Sequence, residues 1–142
     1  MTVKTILDQK GSAVFSMPPS ATIADVTREL ATRKIGAVLI MDGDSLVGIL
    51  SERDVVRTLA NEGATALDSP ASSVMTQRVE TCAIDDLIHD LMERMTASRF
   101  RHMPVVNEGK VVGLISIGDV VKQRIEAAVR ERDEMRNYIL ST

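Results

Sequence analysis

The chain has 142 residues, of which 44% are hydrophobic and only 2% aromatic, and its formal net charge is −3 at pH 7. This length fits one ordinary domain or two small ones that share an interface, with a core of aliphatic and methionine side chains. The acidic balance and the scarcity of aromatic residues argue against nucleic-acid binding and against attraction to an anionic membrane.

Cysteine and histidine content excludes further classes of protein. The single Cys82 cannot form an intrachain disulfide or a cysteine-based zinc site, and His89 and His102 lack metal-ligand spacing. Residues 1–10 lack the apolar run of a signal peptide, and no later apolar run approaches the roughly 20 residues of a membrane helix. We therefore expect a soluble, cytoplasmic protein without a metal centre.

The chain contains an internal repeat. Adding 65 to each residue number matches 14–57 to 79–122 without a gap, and Ile6-Leu7 matches Val74-Met75 once a three-residue insertion near residues 10–12 is allowed. The matched pairs include Ile23 with Ile88, Asp25 with Asp90, Gly48 with Gly113, Ser51 with Ser116 and Asp54 with Asp119. The sequence therefore predicts two copies of one unit of roughly 60 residues.

Each copy predicts the element order βαββα. A short extended segment, 13–17 or 78–82, precedes a helix with apolar residues at spacings of three and four. These apolar residues are Ile23, Val26 and Leu30 in the first copy and Ile88, Leu91 and Met95 in the second. Thr22 with Asp25 predicts a capping box for the first helix, and Asp85-Asp86 is expected to open its counterpart.

A β-hairpin and a closing helix complete each copy. Each hairpin is predicted from two apolar runs around a turn. The runs are 37–41 and 46–50 around Asp42-Gly43-Asp44, and 103–106 and 111–115 around Asn107-Glu108-Gly109. Ser51 and Ser116 begin the closing helices, and the first of these ends near Gly63.

The last helix continues past Lys122 with a seam of period 3.5. The seam consists of Val121, Ile125, Ala128, Arg132, Met135 and Ile139. It predicts either packing on the chain's own domains or a contact with a second chain, and Arg132 weakens a pure coiled coil.

The motif Gly-x-x-Ser-x-x-Asp occurs at 48–54 and at 113–119, each time where a strand meets a helix. A helix start offers unpaired N–H groups that suit a phosphate, and the serine hydroxyl adds a donor. The aspartate would repel phosphate but can accept hydrogen bonds from a diol such as ribose. The alternative is plain helix capping, which Ser-x-x-Asp also provides.

These features resemble a pair of CBS domains, the Bateman module, over about residues 3–125. The resemblance rests on 101–106 before the second hairpin, on 112–119 after it, and on the degenerate first copy. The segments 51–54 and 116–119, with the helical tail, resemble small stand-alone bacterial CBS-pair proteins. The resemblance implies a mixed α/β (α+β) fold of two βαββα repeats related by a pseudo-two-fold axis. The implied division is 1–63 for the first domain, 64–73 for a linker, 74–125 for the second domain and 126–142 for a helical extension.

The resemblance also implies a function. Such pairs bind adenosine-containing ligands (AMP, ADP, ATP, NAD(H) or S-adenosylmethionine) in clefts between the two sheets, act as energy or redox sensors without catalysis, and stack as flat homodimers. It places Asp54 and Asp119 on ribose and Ser51 and Ser116 on phosphate. The remaining implied ligand-binding residues are Val14, Ser16, Gly36, Ala37, Arg53, Val79, Thr81, Arg101, His102, Met103 and Pro104.

The two copies differ at the clefts, where Arg101-His102 and Pro104 stand against Gly36-Ala37 and Leu39. Arg101 and His102 can bring charge to a phosphate, whereas the first copy depends on Arg53. We therefore expect unequal sites, one for a mononucleotide phosphate and one for another part of a larger ligand such as NAD.

Three functions remain open from the sequence. The first is a non-catalytic adenosine-nucleotide sensor, because no catalytic triad, metal cluster or Walker loop is present. The second is a protein-interaction module with unoccupied clefts. The third is a redox switch through Cys82, which is otherwise expected to be a small buried hydrophobic residue.

Overall fold

The structure of the protein, a computed structural model, describes residues 1–141. Thr142, the last residue of the predicted extension, lies outside the described residues. The elements are α1 (Val3–Lys10), β1 (Ser16–Met17), α2 (Ile23–Arg33), β2 (Ala37–Asp42), β3 (Ser45–Ser51), α3 (Glu52–Glu62), a 3-10 helix (Gly63–Asp68), α4 (Ala71–Val74), α5 (Ile88–Ser98), β4 (His102–Asn107), β5 (Lys110–Ser116) and α6 (Ile117–Ser141). The fold is mixed α/β with two small sheets, as predicted.

The two hairpins confirm the repeat. In the first sheet β2 pairs antiparallel with β3 and β1 adds to β2 in parallel, whereas the second sheet contains only β4 and β5. The register is equivalent, since Ala37 pairs with Ser51 and His102 with Ser116. The extended segment predicted at 78–82 contributes one isolated parallel bridge, between Cys82 and Val105. In the second unit, the segment equivalent to β1 therefore lies beside β4 but is joined to it by a single bridge.

The apolar stripes of α2 and α5 are buried as predicted. Thr22 and Asp25 form the expected capping box. The prediction that Asp85-Asp86 opens the equivalent helix is wrong, because α5 begins at Ile88 after Leu87. The Asp86 carboxylate instead accepts a hydrogen bond from the Ala83 backbone N–H and closes the preceding turn.

Each unit is covered by the helix that precedes the other unit. Val3 and Ile6 of α1 lie in the second unit's core, and Val3 N–H donates to Asp86 C=O at 2.9 Å. Ala71 of α4 lies in the first unit's core, and its N–H donates to Ala21 C=O at 2.7 Å. The predicted linker, 64–73, contains most of the 3-10 helix and the start of α4. Because the cores are interlocked, separating the units would expose both of them.

This exchange explains the repeated glycine of the Ser-x-x-Asp motif. A Cβ atom on Gly48 would lie 2.4 Å from Met75 Sδ, and one on Gly113 would lie 2.5 Å from Leu7 Cδ2. Both distances are below van der Waals contact. The glycines therefore make room for the helix or turn that arrives from the other copy.

The α6 seam does not pack on the chain's own domains, so that prediction is wrong. Val120 and Gln123, in the first two turns of α6, are its buried residues. Ile125 is 59% exposed and Met135 64% exposed, and Ile139 is equally exposed. Of the helices within residues 1–141, none combines the length and hydrophobicity that a bilayer span requires.

Candidate functional site

Two cavities lie between the units, with volumes of about 400 Å³ and 580 Å³. We call them the first and the second cleft. Of the predicted ligand-binding residues, the first cleft is lined by Gly36, Ser51, Arg53, Asp54, Val79, Arg101 and His102. The second is lined by Val14, Gly36, Ala37, His102 and Ser116. Cavities of this size accommodate a drug-sized or nucleotide-sized ligand.

Each cleft takes its parts from both copies. The first cleft joins the start of α3 in the first copy to the loop before β4 in the second. The second cleft joins the loop before β2 to Leu114 and Ser116 at the end of β5. The expectation that Arg53 and Arg101 serve different clefts is therefore wrong, because both line the first cleft. Each cleft lies between the units and combines the motif of one with the loop of the other.

Ser51 and Asp54 form a reciprocal cap at the start of α3. Asp54 Oδ2 accepts from Ser51 N–H at 2.9 Å and from the Ser51 hydroxyl at 3.1 Å, while that hydroxyl accepts from Asp54 N–H at 3.3 Å. Asp54 Oδ1 accepts from Arg57 at 2.6 Å. Because the Arg57 side chain is 62% exposed, it can turn away at small cost and leave Oδ1 to a ligand hydroxyl.

Ser116 and Asp119 repeat this cap at the start of α6, with a different cation. Asp119 Oδ2 accepts from Ser116 N–H at 2.9 Å and from Lys10 Nζ at 2.7 Å, and Lys10 also donates to Leu114 C=O at 2.9 Å. Asp119 does not itself line the second cleft, but Lys10 does. Capping and ligand binding are compatible here, because a carboxylate has about four lone-pair sites.

The charges around the second cleft shift the pKa of Asp119. Burial by itself would raise this pKa, but the hydrogen bonds from Lys10 and from the Ser116 backbone hold it below its ordinary value. The carboxylate is therefore ionised at neutral pH and available as an acceptor.

His102 lines both clefts and has a lowered pKa. Burial is the main cause; the carboxylates of Glu52 and Asp119 oppose it, and the cations Lys10 and Arg101 add to it. At neutral pH the imidazole is thus a neutral hydrogen-bonding group.

Some predicted site residues lie away from both clefts. Met103 is fully buried in the second core, and Pro104 is also buried, with its carbonyl accepting a hydrogen bond from Cys82 N–H. Ser16 of β1 pairs with Leu39 of β2, and the Thr81 carbonyl accepts a hydrogen bond from Arg94. Of the predicted site residues in β4, His102 is the one that lines the clefts, and of those in the extended segments Val14 and Val79 do so.

The clefts also contain basic residues that were not among the predicted site residues. Arg57, Arg78 and Arg99 line the first cleft, and Lys10, Arg33 and Lys34 line the second. The internal repeat could have indicated four of these residues, because they match in pairs. Lys34 matches Arg99 at the offset of 65, and Lys10 matches Arg78 when the offset found at Ile6-Leu7 is continued.

Cys82 is a buried hydrophobic residue, as the favoured interpretation predicted. It is 4% exposed within the second core, and burial, with a smaller contribution from Asp86, raises its pKa to about 12. Very little thiolate exists near neutral pH, so the redox interpretation receives no support from this geometry.

Comparison with known proteins identifies the family. The CBS domain family model matches residues 11–61 and 71–126, so the chain belongs to the CBS domain family and contains a pair of these domains. The crystal structure of the CBS-domain containing protein ATU1752 from Agrobacterium tumefaciens is 42% identical, with a TM-score of 0.86, over 87% of this chain and 99% of that one.

Two further relatives are informative. The CBS domain protein PAE2072 from Pyrobaculum aerophilum, solved in complex with AMP, is 31% identical, with a TM-score of 0.74, over 84% of this chain and 89% of that one. An uncharacterized 17.7 kDa protein of Acidianus ambivalens is 30% identical over 80% of this chain and 68% of its own length. The chain spans only 19% to 24% of the length of five longer CBS domain-containing proteins of Arabidopsis thaliana that it also matches.

Proposed function

We propose that the protein is a non-catalytic regulatory module that binds an adenosine nucleotide, of the AMP, ATP or NAD(H) type, in one or both clefts. The observation that carries the proposal is the pseudo-symmetric placement of two Ser-x-x-Asp caps at two cavities between the units. Each cap supplies helix N–H groups for a phosphate, and cations line both cavities. Asp54 lines the first cleft and supplies a carboxylate for a ribose diol, whereas Asp119 holds Lys10, which lines the second cleft. The AMP complex of the relative PAE2072 supports the same class of ligand.

Ligand-dependent thermal stability tests this proposal. A ligand present at 100 times its dissociation constant adds about 2.7 kcal/mol to the free energy of unfolding and raises the melting temperature. We expect AMP, ATP or NADH at millimolar concentration to raise the melting temperature, and adenine-free ribose 5-phosphate to raise it less. If none of the three nucleotides changes the melting temperature, the proposal fails.

Asp54→Asn and Asp119→Asn assign the clefts. Asparagine keeps the size of the side chain and one acceptor oxygen for the cap, whereas alanine would remove the cap and confuse folding with binding. We expect each variant to reduce the nucleotide-dependent stabilisation. Asp25→Asn is the matched control, because Asp25 forms the same type of capping box on α2, lines neither cleft and, unlike Asp119, pairs with a cation that lines neither cleft.

A second candidate function is a protein-interaction module. The exposed apolar residues of α6, including Val129, Met135 and Leu140, favour it. We propose that the protein is a homodimer, and light scattering at working concentration distinguishes the dimer from the monomer. Partner binding that persists unchanged in the double variant Asp54→Asn/Asp119→Asn, without any nucleotide response in the unmodified chain, would favour this second function.

A further inference from the structure

The first cleft gathers an unusual share of the arginines of this protein. Five of the twelve arginines in the chain line it. They come from α3, from the segment after α4 and from the loop between α5 and β4, and they are Arg53, Arg57, Arg78, Arg99 and Arg101. Because like charges repel, this concentration of guanidinium groups is unfavourable unless an anion offsets it.

Within residues 1–141, four of these five arginines lack a carboxylate partner within 4.0 Å. Arg57 pairs with Asp54, but no ion pair forms at Arg53, Arg78, Arg99 or Arg101. Glu80, which also lines the cleft, pairs with Arg94. Glu52 is the third carboxylate that lines the cleft, after Asp54 and Glu80. Like the four arginines, it forms no ion pair among the described residues. Cationic donors are therefore in excess at this cleft.

The second cleft has fewer cations, and most of them are neutralised. Lys10 pairs with Asp119 at 2.7 Å, and Arg33 pairs with Glu29 at 2.9 Å while its guanidinium lies over the Phe15 ring. Lys34 is the one cation of that lining without an ion pair among the described residues. The two clefts therefore differ in the number of cations left for a ligand.

Arg99 and Lys34 hold equivalent positions with a costly backbone conformation. Each is the C-cap of its helix and adopts a left-handed conformation, with φ of 59° at Arg99 and 55° at Lys34. Glycine is the usual residue at such a position, because a side chain there costs about 1–2 kcal/mol. A cation at a helix C-terminus recovers part of this cost from the helix dipole. Each cleft is thus lined by a basic residue at a position where glycine would adopt the backbone conformation more easily.

We infer that the first cleft selects an adenosine ligand with a phosphate chain of two or more groups, and that the second cleft does not. This inference rests on the proposed function and assigns the ligand class to one of its two sites. Arginine suits this role because its planar guanidinium binds phosphate oxygens in pairs. With the ribose at Asp54 and the first phosphate at the start of α3, further phosphates extend among Arg53, Arg78 and Arg101. A monophosphate leaves most of these donors unused.

Calorimetric titration with AMP, ADP and ATP in magnesium-free buffer tests the inference. We expect ATP and ADP to bind at least about tenfold more tightly than AMP, because each additional charged hydrogen bond contributes about a tenfold factor or more. The difference should shrink as salt concentration rises, since the arginines are exposed and their charges are screened. Inorganic tripolyphosphate should compete with ATP more strongly than inorganic phosphate does.

Two charge-removing variants locate the preference, and two more serve as controls. Arg78 and Arg101 line the first cleft only. Arg78→Gln and Arg101→Gln should therefore each lower ATP affinity by about tenfold while changing AMP affinity much less. Lys34 lines the second cleft only, so Lys34→Gln should leave the ratio of ATP to AMP affinity unchanged. Arg124→Gln, which lines neither cleft, controls for net charge. Circular dichroism checks that each variant is folded.

The possible failures are distinguishable. If no adenosine nucleotide binds, the proposed function itself is wrong. If AMP, ADP and ATP bind with equal affinity, the function stands and the inference is overturned. The inference is also overturned if Lys34→Gln, rather than Arg78→Gln and Arg101→Gln, removes a preference for ATP.

Discussion

The imidazole of His102 lies against Gly36 and forms a wall between the two clefts. A Cβ atom on Gly36 would be 3.1 Å from His102 Nε2, so only glycine accepts the ring at its present distance. Both residues line both cavities. In the repeat His102 corresponds to Ala37, so the pseudo-symmetry is broken at the place where the sites meet. One ring therefore lines both clefts.

We predict that His102 makes nucleotide binding pH-dependent. Its folded pKa is already lowered, mainly by burial, and a bound phosphate would raise it by favouring the imidazolium. Protons are then taken up on binding, so affinity should increase as pH falls from about 8 to 6, by up to about tenfold for each unit by which the ligand raises the pKa. Titration of AMP across this range measures the effect.

The variant His102→Gln separates the imidazole from the nucleotide, whose own phosphate titrates in the same range. Glutamine keeps a polar side chain without a titrating group. The variant should lack the gain in affinity that the imidazolium supplies, so the ratio of its affinity at pH 6 to that at pH 8 should be lower than for the unmodified chain. Parallel profiles would exclude a role for His102.

The sign of the pH effect on stability follows from the same lowered pKa. In the absence of ligand, the unfolded chain binds a proton at His102 more readily than the folded chain does. Folding stability should therefore decrease as pH falls from about 6.5 towards the folded pKa, and this decrease should be absent in His102→Gln. Urea unfolding at a series of pH values measures it.

We predict that Gly48→Ala destabilises the protein by about 1–3 kcal/mol, because the added methyl group meets Met75 Sδ at 2.4 Å. The sign of this change is informative, because without the clash alanine would stabilise a strand relative to glycine by about 0.5–1 kcal/mol. The free energy of unfolding in urea measures the change. Met75→Ala should relieve part of the clash, so the double variant should be more stable than the two single changes predict by addition.

Gly118→Ala is the matched control for Gly48→Ala. Gly118 lies in the first turn of α6, and the nearest atom to an added Cβ is Ser116 Oγ at 3.6 Å, an ordinary contact. We expect this substitution to be neutral or slightly stabilising, because alanine favours a helix. A similar loss of stability in both variants would contradict the explanation by close packing at Gly48.

Local patterns in the sequence predicted most of the fold. The stripe Ile23, Val26 and Leu30 and the hairpin turns depend on periodicity and turn chemistry, which a single segment contains. The exchange of α1 and α4 could not be predicted in this way. A helix of four or eight residues carries too few apolar positions to indicate which sheet it covers.

The candidate site was only partly predictable for the same reason. The repeated serine and aspartate identified the two caps, but the repeat does not indicate which motif faces which loop across the interface. Arg101 was consequently assigned to a different cleft from Arg53. Arg99 and Lys34 were missed because a left-handed C-cap is usually recognised by a glycine, and here the position holds a cation.

We predict that Lys10→Met lowers stability at neutral pH by about 0.5–1 kcal/mol, the size of a partly exposed ion pair. The pKa of Asp119 is lowered in the folded state, so its contribution is present above the ordinary aspartate pKa and is lost as pH falls through the folded pKa. The difference between variant and unmodified chain should therefore disappear once the pH has fallen below the lowered folded-state pKa of Asp119.

Lys4→Met is the control for this prediction. Lys4 lies on the same helix and is exposed, and its Nζ is not part of an ion pair among residues 1–141. Its substitution should change stability little at any pH. A deficit of Lys10→Met that persists at low pH would mean that the lysine acts through packing of its aliphatic stem rather than through Asp119.

Finally, we predict that Arg99→Gly stabilises the fold while it weakens ATP binding. Glycine relieves the left-handed strain at φ 59°, but it also loses more conformational entropy on folding than arginine does. The net gain in folding stability should be about 0.5–1 kcal/mol. ATP affinity should fall by several-fold, because a guanidinium is removed from the first cleft. Lys34→Gly makes the matched comparison, since it relieves the same strain at the second cleft and should leave ATP binding at the first unchanged. If Arg99→Gly lowers stability, the arginine stabilises the end of α5 through the helix dipole more than its backbone conformation costs.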